Sequence, residues 1–240
     1  MKTLIEWFRS GSDPWMDFGD AIASYQAGHP RTVFIKSLPR NSSLLDLGAG
    51  NGSLPTFKTW PKPSRTDIRM YAYAMEKGEN FDAYEGFEVG EWPTQKPTFG
   101  GQAFDAIVCA HFIEHIPHPM QLVSWCANRL KPNGRLYIEW PTETSRLLPP
   151  RQVLLEHEIP ITISNFSDDA THKSIPSRPE LVEVAERHGL TVDTQGTISN
   201  PFFEQEVLAQ HKHGNADPFS LQCALWSKVK WAQYVAATRA

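Results

Sequence analysis

Leu44-Leu45-Asp46-Leu47-Gly48-Ala49-Gly50-Asn51-Gly52 is the stretch on which the reading of this chain turns. Apolar residues lead into an acid, and glycines then stand at every second position. The apolar run reads as a buried strand and the glycines as the tight turn that leaves it. Glycine lacks a Cβ, so the backbone there can take positive φ and press against a ligand. In open α/β sheets a strand ending in such a turn is where a nucleotide-like cofactor sits. A cofactor is therefore expected at residues 46–52.

The bulk numbers set the frame. A chain of 240 residues is long enough for one large α/β domain. A net charge of −4 supplies no general attraction to nucleic acid or an anionic membrane. No apolar run approaches the ~18 residues needed to span a bilayer, and residues 1–10 lack the apolar centre of a signal peptide. Cys109, Cys126 and Cys223 are scattered, odd in number and flanked by apolar residues. They read as core thiols in a reducing compartment, so a cytoplasmic location is expected.

Outward from the glycine turn, strands and helices alternate. Residues 13–40 read as a helical segment, capped by Ser12 or Asp13 with Pro14 at the first helical position. Trp15, Phe18, Ile22 and Tyr25 share one face of it, either packing on the sheet or forming a lid. Strand one is 43–47. Pro55, Pro61 and Pro63 break the segment after the glycine turn into a loop or a shortened helix. Strands are expected at 71–76, near 87–92, at 104–110, at 135–140 and from 190. Helices are expected at 119–130, at 179–188 behind a Ser177 cap, and near 202–210 and 218–227. An apolar segment, 231–237, closes the chain. Residues 141–176 form a long irregular stretch, of the kind that is functional or carries inserted structure. The alternation gives a doubly wound sheet covered on both faces.

A dinucleotide site wants G-x-G-x-x-G running into a strong helix. Here the third glycine is at another offset and prolines come after it. The chain instead resembles the class I S-adenosylmethionine-dependent methyltransferases. The first match is Asp46-x-Gly48-x-Gly50-x-Gly52. The second is Phe104-Asp105-Ala106-Ile107-Val108 followed by Ile113-Glu114-His115-Ile116-Pro117. The third is Leu130-Lys131-Pro132-Asn133-Gly134-Arg135-Leu136-Tyr137-Ile138. They occur in family order across about residues 40–190. The family has a second glycine where Asn133 stands, and asparagine also tolerates the left-handed conformation. The resemblance implies a single Rossmann-like domain over 1–240, with a mostly parallel seven-stranded sheet and helices on both faces. Residues 1–40 would form a helical lid segment and 141–176 a substrate-side insertion.

The same resemblance implies roles. Gly48, Ala49 and Gly50 would let the backbone approach the cofactor's methionine part, and Asp46 would lie near its amino group. Glu76 would accept hydrogen bonds from both ribose hydroxyls, with Glu79 as the alternative, because Glu76 lies beyond Asp46 by more than the ~20 residues usual for this fold. Glu91 and Trp92 would lie by the adenine, Trp92 either stacking on it or packing in the core. Ala110, His111 and Phe112 would border the sulfonium.

His111, Glu114 and His115 fall at i, i+3 and i+4, on one face if the segment is a helical turn. The small-RNA 2′-O-methyltransferases have a similar cluster, E-x-x-E-H, which binds a metal with a later histidine. Here His111 replaces the first glutamate, and His172 is the match for the later ligand. Two or three imidazoles with one carboxylate suit a divalent transition metal rather than magnesium. Three readings stand side by side: a metal site at His111, Glu114, His115 and His172; a general base at His111 or His115; and a loop-shaping role. Trp140, Phe166, Phe202 and Phe203 either wall an acceptor pocket or belong to the core.

The expected reaction is methyl transfer from S-adenosylmethionine to an oxygen or nitrogen of a small polar acceptor, such as a sugar hydroxyl or a catechol-like diol. The acidic balance argues against a nucleic-acid footprint, and no membrane partner is expected. The rivals are a nicotinamide-dependent oxidoreductase on a related fold and a methyltransferase-like binding protein without turnover.

Overall fold

The computed structural model describes residues 2–240. In chain order its elements are helices α1 (Lys2–Phe8), α2 (Phe18–Gly28) and α3 (Pro30–Lys36), strand β1 (Ser43–Leu47), α4 (Thr56–Thr59), β2 (Arg69–Ala74), β3 (Gly86–Val89), β4 (Phe104–Ala110), α5 (Pro119–Arg129), β5 (Leu130–Pro141), α6 (Arg151–Leu155), α7 (Arg178–Arg187), β6 (Leu190–Thr197), α8 (Pro201–Lys212), α9 (Pro218–Val229) and β7 (Ala232–Arg239), with short 3-10 turns between them. The chain divides into two compact units. One comprises residues 30–140, 173–196 and 234–240, the other residues 2–29, 141–172 and 197–233. The segments expected as lid and insertion fall largely in the second.

The first unit, the sheet unit, is built on seven strands in the order β3-β2-β1-β4-β5-β7-β6. The pairings β3–β2, β2–β1, β1–β4 and β4–β5 are parallel. All five residues of β1 are buried. Their side chains alternate between two cores: Leu45 and Leu47 pack with Ile107, Cys109 and Ile138 on one face, Leu44 with Ala72, Ala106 and Val108 on the other. Burial on both faces explains why this strand is written as an unbroken apolar run. Asp105 pins its start, accepting hydrogen bonds from the Ser43 amide (2.8 Å), the Ser43 hydroxyl (2.7 Å) and Lys131 (2.8 Å). The strand order reverses between β1 and β4, and the crevice beyond their carboxyl ends is where such sheets bind ligands.

Several expected boundaries move. The helix expected from residue 13 starts at Phe18, because the Asp17 side chain caps it through the Asp20 amide at 3.2 Å. Trp15 is left outside it. Strand two ends at Ala74, so Glu76 lies beyond the sheet on an exposed turn. Ser177 occupies the cap position of α7 but makes no side-chain bond there. The turn Lys131–Gly134 does not precede β5 but lies within it. The β4 pairing jumps from Leu130 to Arg135, and Asn133 takes φ +60° to absorb the extra residues.

The second unit, the helical unit, packs α2 against α8 and α8 against α9 around Phe8, Tyr25, Leu154, Phe203, Val207 and Leu225. Both long helices open alike: Asn200 caps the Phe203 amide (3.1 Å) and Asp217 the Ser220 amide (2.9 Å), each followed by proline at the first helical position. Among the described residues no helix is long and apolar enough to cross a membrane.

Candidate active site

The site in the sheet unit is assembled where β1 and β4 end. The Gly48 and Ala49 amides both donate to the Tyr73 carbonyl at 2.9 Å, which curls the chain away from the strand. Gly48 has φ +86°, and a Cβ there would meet Phe112 Cβ at 2.4 Å. The turn after β1 and the turn after β4 thus touch, and only glycine permits it. At Gly50 the φ is +53° and an added Cβ would meet nothing within 4 Å. The backbone there borders open space, as a cofactor cradle requires.

Asp46 points from the end of β1 into this region and is 5% exposed. Burial pushes its carboxyl up to about 6; the Tyr84 hydroxyl, which donates to Oδ2, and the nearby Arg31 charge work the other way. Tyr84 was not singled out in the sequence, since nothing local marks a tyrosine of a loop as the partner of a residue 38 positions earlier.

His111 departs most from expectation. It has φ +53°, uncommon for a residue other than glycine, though histidine tolerates it better than most. Its amide donates to the Glu139 carbonyl at 2.9 Å. Its Nδ1 faces Glu114 Oε1 at 3.2 Å and its Nε2 faces Glu139 Oε1 at 3.0 Å. Burial alone would lower its pKa, but hydrogen bonds to Glu114 and Glu139 outweigh it and push the ring up to about 9. Both ring nitrogens of His111 thus face carboxylates, one on each side of the ring. Glu139, like Tyr84, is a residue that nothing in the sequence marks for this site. It also accepts from the Tyr137 hydroxyl at 2.7 Å and lies 3.9 Å from Arg31.

Glu114 is wholly buried, and its Oε2 has no hydrogen-bond partner among the described residues. His115 closes the same 3-10 turn, which spans Ile113–His115. Ala110 ends β4, and Phe112 lies against Gly48. Glu76 is exposed and makes no hydrogen bond or ion pair among the described residues, so both its oxygens are open. Trp92 does not stand free for stacking: it is buried edge-on against Trp125 at 5.4 Å, with Lys96 over its other side. Glu91 is exposed beside it.

His172 lies in the helical unit. Its Nδ1 is 2.6 Å from the Phe166 carbonyl, its ring stacks on Phe166 at 4.5 Å, and its Nε2 is 3.9 Å from Asp169. Trp140 and Phe166 are core residues of their respective units, each buried. Phe203 is buried too, while Phe202 is exposed.

Comparison with known proteins bears on this arrangement. A family model described as a methyltransferase domain matches residues 20–195. The ubiquinone biosynthesis O-methyltransferase of Xanthomonas axonopodis pv. citri (strain 306) is 25% identical over 223 residues, 89% of this chain and 91% of that one. The protein of the same name from Histophilus somni (strain 2336) is 28% identical over 145 residues, 55% of this chain and 60% of that one. Against further relatives of that name the match spans as little as 40% of their length. Among solved structures, a SAM-dependent methyltransferase from Archaeoglobus fulgidus is similar with a TM-score of 0.54 at 16% identity, over 86% of this chain and 90% of that one. The cyclopropane synthase MmaA2 from Mycobacterium tuberculosis also scores 0.54 at 16% identity, over 90% of this chain and 82% of that one. At such identities the likeness concerns the fold.

Proposed function

The chain belongs to the methyltransferase-domain family, with the Rossmann-like fold of S-adenosylmethionine-dependent enzymes, and from that premise we propose that it methylates a hydroxyl oxygen on an aromatic precursor of a quinone. The observation that carries the cofactor assignment is the cradle at the switch point. Gly48 is excluded from bearing a side chain, Gly50 borders open space, and a buried acid faces the same region. These residues fit S-adenosylmethionine, which supplies an electrophilic methyl group on a positive sulfonium when bound.

The chain's own residues then have separable tasks. The Gly48–Gly50 backbone and Asp46 hold the amino-acid end, the Asp46 carboxylate matching an ammonium. Glu76, with both oxygens open, accepts from the ribose hydroxyls. His111 is a positioning residue: clamped between Glu114 and Glu139, it fixes the loop that carries Ala110, Phe112 and His115. His115 takes the general-base role and receives the proton of the acceptor hydroxyl as the oxygen attacks. Holding donor and acceptor in line supplies much of the rate in such a displacement.

The relatives' name favours oxygen over nitrogen and a quinone precursor over the sugar hydroxyl or catechol-like diol metabolite expected from the sequence. Family membership sets the nicotinamide reading aside. A divalent cation is a second reading, supported by the unpartnered Glu114 Oε2 beside His115. His111, with both nitrogens facing carboxylates, drops out of its ligand set.

The test is incubation of the purified chain with S-adenosylmethionine and a panel of catechols, phenols and sugars, read by mass. A product heavier by one methyl group from the catechol or phenol is expected, and His115→Ala should abolish it while S-adenosylhomocysteine still binds. Methylation of sugars alone would reject the acceptor. Cofactor binding without any product would favour the non-catalytic reading. Activity that is lost with a chelator and restored by one divalent metal would establish the cation.

A further inference from the structure

The helical unit contains a cavity of about 200 Å³ between α2, α8 and the segment before α2. Trp15, Tyr25, Phe202 and Phe203 wall it, and Glu206 also lines it. Tyr25 stacks on Phe203 at 4.1 Å and 15°, which makes one wall rigid. Trp15 and Phe202 stand at its mouth 6.3 Å apart, 55% and 71% exposed.

Glu206 is the second feature. It is only 1% exposed. Its Oε2 accepts from the Trp15 amide at 3.2 Å and its Oε1 from Gln210 Nε2 at 2.8 Å. Gln210 is held in that orientation, since its Oε1 accepts from Asn215 at 3.1 Å. Both donors to Glu206 are neutral, and among the described residues it has no ion pair. A carboxylate offers about four acceptor positions, so roughly half are unused. Burying a carboxylate without a counter-charge is costly, and the cost is met if a cation occupies the cavity.

From this juxtaposition of aromatic faces and a buried carboxylate without a cationic partner, we infer that the cavity binds a small alkylammonium ion. The ring faces attract a cation through their quadrupole, the alkyl groups fill the apolar walls, and an N–H of the ligand reaches Glu206. A neutral apolar ligand would use the rings but leave the carboxylate uncompensated. An anion would meet Glu206 unfavourably. A bare divalent metal would need several more oxygen ligands than this lining supplies. The site is built wholly from residues of the helical unit and does not depend on the methyl-transfer reading.

The probes are n-butylammonium chloride, its neutral analogue n-pentanol, and sodium chloride as an ionic control, titrated into the full chain by calorimetry and by NMR of indole ¹⁵N-labelled protein. Saturable binding of the ammonium, with a shift of the Trp15 indole, is expected over the sodium control. Glu206→Gln keeps an acceptor for the Trp15 amide and should weaken that binding about tenfold or more, the scale of one charge-assisted hydrogen bond. Trp15→Ala, at an exposed position outside any helix, should weaken it as well. Unchanged melting temperature and S-adenosylhomocysteine affinity in both variants establish that the fold is intact. If Glu206→Gln proves unstable, Trp15→Ala together with the ammonium-to-pentanol preference of the unaltered chain decides the matter. Absence of saturable ammonium binding, or equal binding of pentanol and ammonium unaffected by Glu206→Gln, would overturn the proposal.

Discussion

Replacing Tyr84 with Phe isolates the hydrogen bond on the buried acid at the end of β1. The phenol donates to Asp46 Oδ2, and the Asp46 carboxyl is held up at about 6, chiefly by burial. A hydrogen bond to a charged group contributes about 1.5–3 kcal/mol. At about 1.4 kcal/mol per pKa unit, its loss raises Asp46 by a further 1–2 units, to about 7–8. The sign comes from linkage. The folded pKa of this acid lies above its unfolded value, so the folded state binds the proton more tightly. Its contribution to stability is most favourable below about pH 4 and is lost as pH rises toward 6; in the variant the loss runs on to about 7–8. Cofactor binding has the opposite slope, because the ligand's ammonium requires the ionised carboxylate. Calorimetric titration with S-adenosylhomocysteine across a pH series should show affinity rising through about pH 6 and then levelling. In Tyr84→Phe the midpoint should move up by about 1–2 units. A midpoint shared by both proteins, or an affinity that falls with pH in this range, would refute the assignment of Asp46 to the ammonium.

The same geometry sets three further outcomes. Gly48→Ala should lower stability by about 2–4 kcal/mol in urea unfolding, because it combines a left-handed backbone with a clash on Phe112; Gly50→Ala, which meets nothing, should cost about 1 kcal/mol yet weaken S-adenosylhomocysteine binding strongly. Glu76→Ala should reduce cofactor affinity about tenfold or more, the size of one to two lost hydrogen bonds to a charged group, while the melting temperature stays put because the residue is exposed. Glu139→Gln should cost about 1.5–3 kcal/mol of stability, and a double-mutant cycle with His111→Asn should return a coupling of about 1 kcal/mol or more; a coupling near zero would show that the 3.0 Å approach of the two side chains is energetically idle.

Much of the sheet could be read without coordinates. β1 and β4 fall at the residues expected, since strands buried on both faces appear as apolar runs bounded by polar or glycine turns. Asn133 takes the left-handed conformation anticipated for it. Helix starts were less legible where several caps compete. Asp13 and Asp17 both precede apolar positions, and the side chain of Asp17 is the one that reaches its amide. Trp92 could not be assigned by type, because an indole that stacks on a ligand and one that packs on Trp125 look alike in a sequence.

What the residue order determined by itself was the chemistry of single turns: a chain that must bend at 48–52, an acid before the bend, an acid and two imidazoles after β4. These are local quantities, set by the steric freedom of glycine and by the repeat of strand and helix. The tertiary structure alone decided which charges meet. The β4–β5 register puts Glu139 beside Ala110, so that it closes on His111, and the loop after β2 carries Tyr84 onto Asp46. Register depends on the summed packing of whole faces and leaves no mark at the residue concerned. A histidine that reads as a base or ligand is for that reason found gripped by two carboxylates.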